Sequence, residues 1–240
     1  MIEVKNLTKR YGNHLAVDHL NFTVESGKIY GFLGPNGAGK STTMNIMTGY
    51  LGATEGQVLI DGHDILKEPE EAKKNIGYLP EIPPLYMEMT VQEYLEFAAE
   101  LKGIKKDKRE PQIEEVIRLA KLRAVENRLI QNLSKGYKQR VGLAQAVLGF
   151  PEIIILDEPT VGLDPKQIIE IRELIRKLAK KHTVILSSHI LAEVREVCDY
   201  IMIISGGKLV ASDTTENLEN MMSGKGQIEV EAKASRDEMD

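Results

Sequence analysis

The sequence GPNGAGKS, at residues 34–41, decides the fold of this chain. It has the spacing G-x-x-x-x-G-K-S, which is informative only where a strand precedes it and a helix follows it. Residues 28–33 form a short apolar run between two glycines, which is typical of a buried strand. Residues 42–49 carry apolar side chains, lack proline and end in glycine, which favours a helix. Both flanks fit a loop that binds phosphate groups.

The chemistry of this loop follows from its residue types. Its glycines let the backbone bring N–H groups against phosphate oxygens, and the following helix points the positive end of its dipole at the same anion. Lys40 supplies a mobile charge, and the Ser41 hydroxyl is a ligand for Mg²⁺. A structural glycine-rich turn is the alternative, but it does not explain why strand, spacing and helix agree. The loop predicts a nucleoside triphosphate ligand without fixing the kind of enzyme. The expected nucleotide contacts here are Gly34, Pro35, Asn36, Gly37, Ala38, Gly39, Lys40, Ser41 and Thr42.

The composition is that of an ordinary globular protein. The 240 residues suffice for one large or two small domains, and 42% are hydrophobic and 28% charged. The formal net charge of -5 gives no electrostatic reason to expect nucleic-acid binding as the main task. The single cysteine, Cys198, fits a reducing compartment and is expected to be a buried, inert thiol. No run approaches ~18 apolar residues, so no membrane-spanning segment is expected.

Three segments around the loop alternate apolar and polar residues, as half-buried strands do. They are residues 1–8, 16–24 and 57–61, and they predict an antiparallel sheet beside the phosphate-binding core. Tyr11 lies at a turn between the first two segments. An aromatic ring there can stack on an adenine base, although packing is the commoner role of a tyrosine at a turn.

A helical region interrupts the α/β pattern. Residues 75–81 predict a strand, and the proline-rich residues after it predict a linker. Three helices are then predicted: one that begins with a capping box at Thr90, one over residues 111–122, and one with Ser134 as its N-cap. Residues 84–150 are therefore expected to form a helical subdomain inserted into the core.

Two continuous apolar runs follow, and such runs are typical of parallel strands buried on both faces. Residues 153–156 lead directly into Asp157 and Glu158. Two carboxylates thus lie at the carboxyl end of a buried strand, where ligands bind in open α/β sheets. Residues 183–186 form the second run, which leads to His189.

The remaining signals are weaker. Asp164, followed by a proline, begins a helix, and a glycine pair at residues 206–207 predicts a hairpin. A helix is expected over residues 217–222 and a strand over residues 228–232. The chain then stops without an evident packing partner for its last residues, which predicts a shortened form of a longer protein.

The order and spacing of these motifs resemble the nucleotide-binding domain of ATP-binding cassette (ABC) proteins from Ile2 to about Ser212. The motifs that carry the resemblance are the phosphate loop, Leu133-Ser134-Lys135-Gly136, the strand ending in Asp157-Glu158, Gly162-Leu163-Asp164, and His189. The resemblance implies an α/β fold: a P-loop NTPase core with a mainly parallel sheet, an antiparallel β layer and the inserted helical subdomain. Residues 1–212 would be the ATP-binding domain, and residues 213–240 a C-terminal extension that is expected to be incomplete.

The resemblance also implies roles for single residues, with ATP and Mg²⁺ as cofactors. Tyr11 resembles the aromatic residue that stacks on adenine. Asp157 resembles the acid that holds Mg²⁺ through water, and Glu158 resembles the general base that polarises the attacking water. His189 resembles the histidine that contacts the γ-phosphate. The expected metal ligands are Ser41, Glu81 and Asp157.

A second group of residues resembles the surface that meets another copy. Ser134 and Gly136 look like the signature that binds the γ-phosphate of the second copy through a helix N-terminus. Asp164 resembles the loop acid that links the two sites. The sequence departs from the usual Leu-Ser-Gly-Gly-Gln signature, because Lys135 and Tyr137 replace the first Gly and the Gln.

The other departure from the family pattern is Glu81, which stands where a glutamine is usual. Leu79-Pro80-Glu81 is similar to a bacterial exporter branch that includes gliding-motility, sodium-export and multidrug-type ATPases. A carboxylate there can still ligate Mg²⁺ but lacks the amide donor.

The resemblance implies the ATP-hydrolysing subunit of a membrane exporter. Two copies, or one copy and a paralogue, would enclose two ATP·Mg²⁺ molecules head to tail. The permease would be a separate transmembrane chain, and the subunit would lie in the cytoplasm against the inner face of the cell membrane. No nucleic-acid partner is expected.

Two alternatives stay open. One is a soluble ABC ATPase that acts on ribosomes or DNA; its ribosome-acting members usually hold two such domains, and its DNA-repair members carry a long coiled coil, whereas the helical insert here shows no sustained heptads. The other is a regulatory subunit that binds ATP without hydrolysing it, against which Glu158 and His189 argue.

Overall fold

The fold is described by a computed structural model that covers residues 1–223. Its strands are β1 (Ile2–Tyr11), β2 (His14–Val24), β3 (Ile29–Leu33), β4 (Glu55–Ile60), β5 (His63–Asp64), β6 (Ile76–Leu79), β7 (Ile153–Leu156), β8 (Thr183–Ser188), β9 (Tyr200–Ser205) and β10 (Lys208–Thr214). Its α-helices are α1 (Lys40–Met47), α2 (Pro69–Lys74), α3 (Val91–Leu101), α4 (Lys106–Leu119), α5 (Lys135–Val147), α6 (Pro165–Leu178), α7 (Leu191–Val197) and α8 (Thr215–Ser223).

The central sheet has the strand order β10-β9-β3-β8-β7-β6. Neighbouring strands are parallel from β9 to β6, and β10 pairs with β9 in the antiparallel direction. Since β3, β8 and β7 are adjacent and parallel, their carboxyl ends lie at one edge of the sheet. The phosphate loop, His189 and Asp157-Glu158 follow these three strands and therefore start from the same edge.

Successive side chains of the central strands enter two different cores, because side chains alternate across a strand. In β7, Ile153 and Ile155 pack on one face, and Ile154 and Leu156 pack on the other. The first face is covered by α1 and by a second, antiparallel sheet of order β2-β1-β4-β5. The mainly parallel sheet and the antiparallel layer confirm the predicted fold class.

The opposite face carries the helices, of which α3, α4 and α5 pack on one another. The predicted capping box at Thr90 is present: its Oγ1 accepts a hydrogen bond from the Glu93 N–H at 3.2 Å, and Glu93 Oε2 accepts one from the Thr90 N–H at 2.8 Å. Cys198 is buried as expected, and burial raises the pKa of its thiol.

Some boundaries differ from the predictions. Helix α4 begins at Lys106 rather than at Pro111, which lies inside it. Its first turns are anchored by Arg109, whose Nε donates to the Ile104 carbonyl at 2.8 Å. Pro111 is the sixth residue of the helix and lacks an N–H, so one backbone hydrogen bond of α4 is missing. The short elements α2 and β5 were not predicted.

Only part of the C-terminal region for which elements were predicted lies within the described residues. The helix expected over residues 217–222 lies within α8. The strand expected over residues 228–232 lies outside the described residues. No helix in the described part of the chain combines the length and apolar character needed to cross a membrane.

Candidate functional site

A cleft of about 420 Å³ opens at the carboxyl edge of the central sheet. It brings together residues that are far apart in the sequence, from the antiparallel layer, the phosphate loop and the ends of the central strands. Its lining residues are Tyr11, His14, Ala16, Asn36, Gly37, Gly39, Lys40, Ser41, Thr42, Glu81, Glu158, Val161 and His189. Ten of these thirteen were predicted from the sequence, and His14, Ala16 and Val161 were not.

The phosphate loop is shaped by glycines at two crowded points. Gly39 has φ of 103°, and a Cβ there would lie 2.5 Å from the Ala16 carbonyl oxygen. A Cβ on Gly34 would lie 2.3 Å from the carbonyl oxygen of Ile204. Gly39 is also the N-cap of α1, where no side chain caps the helix and no acid stands in the first turn. The N–H groups of that turn therefore suit an external anion.

Lys40 is only 5% exposed, and its ammonium group is held inside the loop. Nζ donates to the carbonyl oxygens of Gly34 at 2.7 Å and Pro35 at 3.3 Å. It also lies 3.3 Å from Oε1 of Glu158, a buried oxygen that has no hydrogen-bond partner in the described part of the chain. A buried cation among carbonyls and a carboxylate fits a terminal phosphate group, whose oxygens can replace these partners.

Two oxygens near the loop, Ser41 Oγ and Asp157 Oδ1, suit a divalent cation. Ser41 Oγ donates to Asp157 Oδ1 at 3.1 Å, and Ser187 Oγ donates to the same oxygen at 2.5 Å. Ser187 Oγ in turn accepts from the Glu158 N–H at 2.8 Å. Residues 1–223 contain no group of three or more His, Cys, Asp or Glu side chains that could hold a metal alone. A cation at Ser41 and Asp157 would take its other ligands from phosphate or water, as Mg²⁺ does.

Glu158 and His189 face each other across the cleft, with 3.1 Å between Glu158 Oε2 and His189 Nδ1. Glu158 is 6% exposed and has φ of 46°, in the left-handed region that residues other than glycine seldom adopt. Such backbone strain is concentrated at functional sites. A carboxylate and an imidazole beside a phosphate-binding loop can orient and polarise a water molecule for attack on phosphorus.

Tyr11 and Glu81 lie at the borders of the cleft. Tyr11 is 49% exposed, and the Lys9 ammonium lies over its ring, 5.3 Å from the ring centroid. Glu81 is exposed and lines both this cleft and a neighbouring groove of about 830 Å³. That groove also contacts Ser41 and Asp157.

Ser134 and Gly136 do not line the cleft of their own chain. Ser134 is the exposed N-cap of α5 and accepts a hydrogen bond from the Tyr137 N–H at 3.4 Å. A Cβ on Gly136 would lie 2.5 Å from the side chain of Gln167, so the signature packs closely against the start of α6. Asp164 caps that helix and accepts from the Gln167 N–H at 2.9 Å.

Sequence reasoning missed two polar residues that hold the site together. Ser187 links Asp157 to the backbone of Glu158, and the motif Ser-Ser-His at the end of β8 was its only signal. Tyr78 donates to Asn45 Oδ1 at 2.9 Å beside the metal-ligand candidates. Burial, with the Asp157 charge second, raises the pKa of Tyr78 and keeps its hydroxyl a neutral donor.

Comparison with known proteins gives matches along most of the chain. A family model described as ABC transporter matches residues 17–161. The bacitracin transport ATP-binding protein BcrA of Bacillus licheniformis is 42% identical, covering 91% of this chain and 71% of that protein. The lantibiotic transport ATP-binding protein SrtF of Streptococcus pyogenes is 34% identical, covering 94% of this chain and 97% of that protein.

A solved structure agrees with the fold. The dimeric structure of a post-hydrolysis state of the ATP-binding cassette MJ0796, bound to ADP and Pi, has a TM-score of 0.81 and is 28% identical. The alignment covers 90% of this chain and 99% of that chain. The matched family model and the relatives along most of the chain lead to one conclusion: this chain belongs to the ABC transporter family.

Proposed function

We propose that this chain hydrolyses ATP and thereby drives export through a separate membrane permease. The observation that carries the proposal is the convergence of three side chains on the phosphate loop. Glu158 lies 3.1 Å from His189 and 3.3 Å from the Lys40 ammonium, inside one cleft. ATP-binding domains of the ABC family hydrolyse ATP. For this chain, the proposal of hydrolysis is supported by the arrangement of Glu158, His189 and Lys40.

In the proposed reaction the chain supplies charge and position. Lys40 exchanges its carbonyl partners for oxygens of the β- and γ-phosphates, and the first-turn N–H groups of α1 receive the remaining phosphate oxygens. Glu158 accepts a hydrogen bond from the attacking water. His189 contacts the γ-phosphate and fixes the position of the Glu158 carboxylate. Ser41 and Asp157, with Glu81 as a further ligand, would hold Mg²⁺, and a bound Mg²⁺ would supply positive charge beside the phosphate groups.

Two copies of the chain, or one copy and a paralogue, would complete each other's sites. Ser134 and Gly136 lie outside the cleft of their own chain, at the exposed N-terminus of α5. Placed against a partner's cleft, that helix end would meet the γ-phosphate. Lys135 would add a positive charge at the same point. The dimeric state of the related cassette supports this arrangement.

The proposed permease contact is the groove beside Glu81. Its rim carries large apolar side chains that are strongly exposed, with Tyr50 at 83% and Ile82 at 81%. Exposed apolar patches rimmed by polar groups mark interaction surfaces. Through this contact the subunit would sit on the inner face of the cell membrane. Export is supported by the bacitracin and lantibiotic transport relatives, which also speak against a soluble ATPase that acts on ribosomes or DNA.

The proposed domain organisation keeps the boundaries expected from the sequence. Residues 1–212 would form the ATP-binding domain, residues 84–150 its helical subdomain, and residues 213–240 an extension. The close packing of α3, α4 and α5 supports the helical subdomain as a unit.

The decisive experiment is Glu158→Gln, which keeps the size of the side chain but removes the base. We expect the variant to bind ATP, to release phosphate ~10²–10⁴-fold more slowly than the wild type, and to form an ATP-dependent dimer. Phosphate release and gel filtration with Mg·ATP measure these outcomes. Glu152→Gln is the matched control, because Glu152 is exposed and lies just before the other end of β7. A wild-type chain without ATPase activity overturns the proposed hydrolysis, and a variant that stays monomeric overturns the paired arrangement.

A further inference from the structure

One buried carboxylate behind the cleft takes no part in the reaction described above. Glu193, on α7, is 7% exposed. Its Oε2 accepts hydrogen bonds from Thr160 Oγ1 at 2.6 Å and from Ser188 Oγ at 3.2 Å. A buried carboxylate is costly unless it is paired and hydrogen-bonded, so its place in the fold depends on these partners.

The two hydroxyl donors lie next to the reactive groups, one in the loop after β7 and one at the last residue of β8. Thr160 stands two residues after Glu158, in the loop that follows β7. Ser188 immediately precedes His189, at the end of β8. A single carboxylate oxygen therefore joins the loop of Glu158 to the loop of His189.

The other oxygen of Glu193 faces a cation. Arg172, on α6, places Nη2 at 3.9 Å from Glu193 Oε1 and pairs through Nη1 with Glu196. The Arg172 Nε is buried and has no hydrogen-bond partner among the described residues. The Arg172 guanidinium is thus held between the two carboxylates. Its positive charge, on α6, compensates the negative charge of Glu193.

Thr160, Glu193 and Ser188 form a hydrogen-bonded bridge, and further hydrogen bonds hold Ser188 in place. Ser188 Oγ accepts from the Ile190 N–H at 3.1 Å, so its hydroxyl proton is directed to Glu193. The Ser188 carbonyl accepts from the Gly34 N–H at 3.4 Å, at the start of the phosphate loop. Displacing Ser188 would therefore shift His189 relative to both the phosphate loop and Glu158.

We propose that Glu193 is a positioning residue that sets the distance between Glu158 and His189 by tying their two loops together. The inference rests on the proposed function, because Glu193 matters to the reaction only if Glu158 and His189 perform it. Glu193 does not line the nucleotide cleft. Its loss should therefore lower kcat while ATP affinity stays near that of the wild type, since displacement of reacting groups by even 1 Å slows chemistry, whereas Lys40, Tyr11 and the phosphate loop still bind the nucleotide.

If Glu193 acts by bridging Thr160 and Ser188, the kcat values of its variants should follow a pattern that a role in core packing alone does not predict. Glu193→Gln keeps the shape and one acceptor oxygen, so its kcat should lie between those of the wild type and Glu193→Ala. Thr160→Val removes one donor at nearly constant volume. If Glu193 acts through Thr160, adding Thr160→Val to Glu193→Ala should change kcat little further, because residues in one network are not additive.

The test measures kcat and KM for Mg·ATP, and ATP dissociation constants by calorimetry, for each variant. We expect a ~10- to 100-fold loss of kcat for Glu193→Ala, with ATP affinity within about twofold of the wild type. Glu196→Gln is the matched control: the side chain is on the same helix and also pairs with Arg172, but it is 55% exposed and should behave as the wild type.

The outcomes separate the two proposals. A wild-type chain that releases no phosphate overturns the proposed function. An active wild type with an equally active Glu193→Ala, or with equal losses in kcat and ATP affinity, overturns only the role of Glu193. If Glu193→Ala fails to fold by circular dichroism, Thr160→Val decides alone: a wild-type kcat in that variant overturns the bridge.

Discussion

At the scale of single residues, Tyr11 is placed where its ring could stack on the base of a bound nucleotide. Tyr11 is about half exposed where it lines the cleft, and the Lys9 ammonium lies over its ring. A core tyrosine would be covered by neighbours, whereas this one keeps apolar surface in water. Such a ring gains contact area only when a flat ligand group covers it.

We predict that Tyr11→Ala weakens ATP binding by ~1–3 kcal/mol, the range for stacking of a base on an aromatic ring. Binding of inorganic triphosphate should be unchanged, because only the adenine contact is lost. Calorimetry with both ligands measures the difference, and Tyr11→Phe, which keeps the ring, should bind ATP like the wild type. Equal losses for both ligands would assign Tyr11 to packing.

Residues with local motifs could be predicted from the sequence, and residues whose role depends on distant contacts could not. Lys40, Asp157 and Glu158 stand at fixed positions next to strands, so the pattern identifies them. Ser187 is different, because its hydroxyl reaches an acid 30 residues away. Glu193 bonds to Thr160 across 33 residues, and nothing in the spacing of α7 distinguishes it from a surface glutamate.

At the scale of elements, apolar patterning was sufficient where burial is strong and failed where charge dominates. β7 is buried at every residue, so its unbroken apolar run predicted it correctly. The first turn of α4 is charged and exposed, and its start depends on the contact of Arg109 with the Ile104 carbonyl. The pattern therefore placed the helix start at Pro111, five residues after the true start at Lys106.

The capping box of α3 gives a prediction at this scale. Thr90→Ala should lower the free energy of unfolding by ~1 kcal/mol, because the helix loses the side-chain acceptor for the Glu93 N–H. Thr90→Ser keeps the oxygen and should retain nearly all of the stability. Urea unfolding followed by circular dichroism measures both variants. A Thr90→Ala protein as stable as the wild type would show that tertiary packing alone sets the start of α3.

At the scale of the whole molecule, the sheet order explains why one cleft holds all the reactive groups. β3, β8 and β7 are neighbours in the central sheet although long helical segments separate them in the sequence. Their carboxyl ends deliver Lys40, His189 and Glu158 to one edge. The strands were predictable one by one, but their order was not predicted, since no local pattern encodes which strands pair.

The same edge continues into the groove beside Glu81, which makes this residue the link between nucleotide and permease in our proposal. Glu81 lines both the cleft and the groove, and prolines at 80, 83 and 84 restrict the chain around it. A carboxylate is attracted by Mg²⁺ and repelled by the γ-phosphate, so phosphate loss changes the force on Glu81. Because the linker is stiff, that change should move the helical subdomain rather than dissipate locally.

We predict that Glu81→Ala keeps nucleotide affinity within about tenfold of the wild type, or ~1.4 kcal/mol, yet removes the response of the ATPase rate to the permease. Glu81→Gln should be milder, because its amide oxygen can still ligate the metal. The assay compares ATPase activity with and without the reconstituted permease, obtained by copurification with the wild-type protein. Glu88→Ala, an exposed change beyond the linker, is the control and should respond normally. If Glu81→Ala is stimulated as strongly as the wild type, the linker serves only to join the core to the helices, and movement must reach the permease by another route.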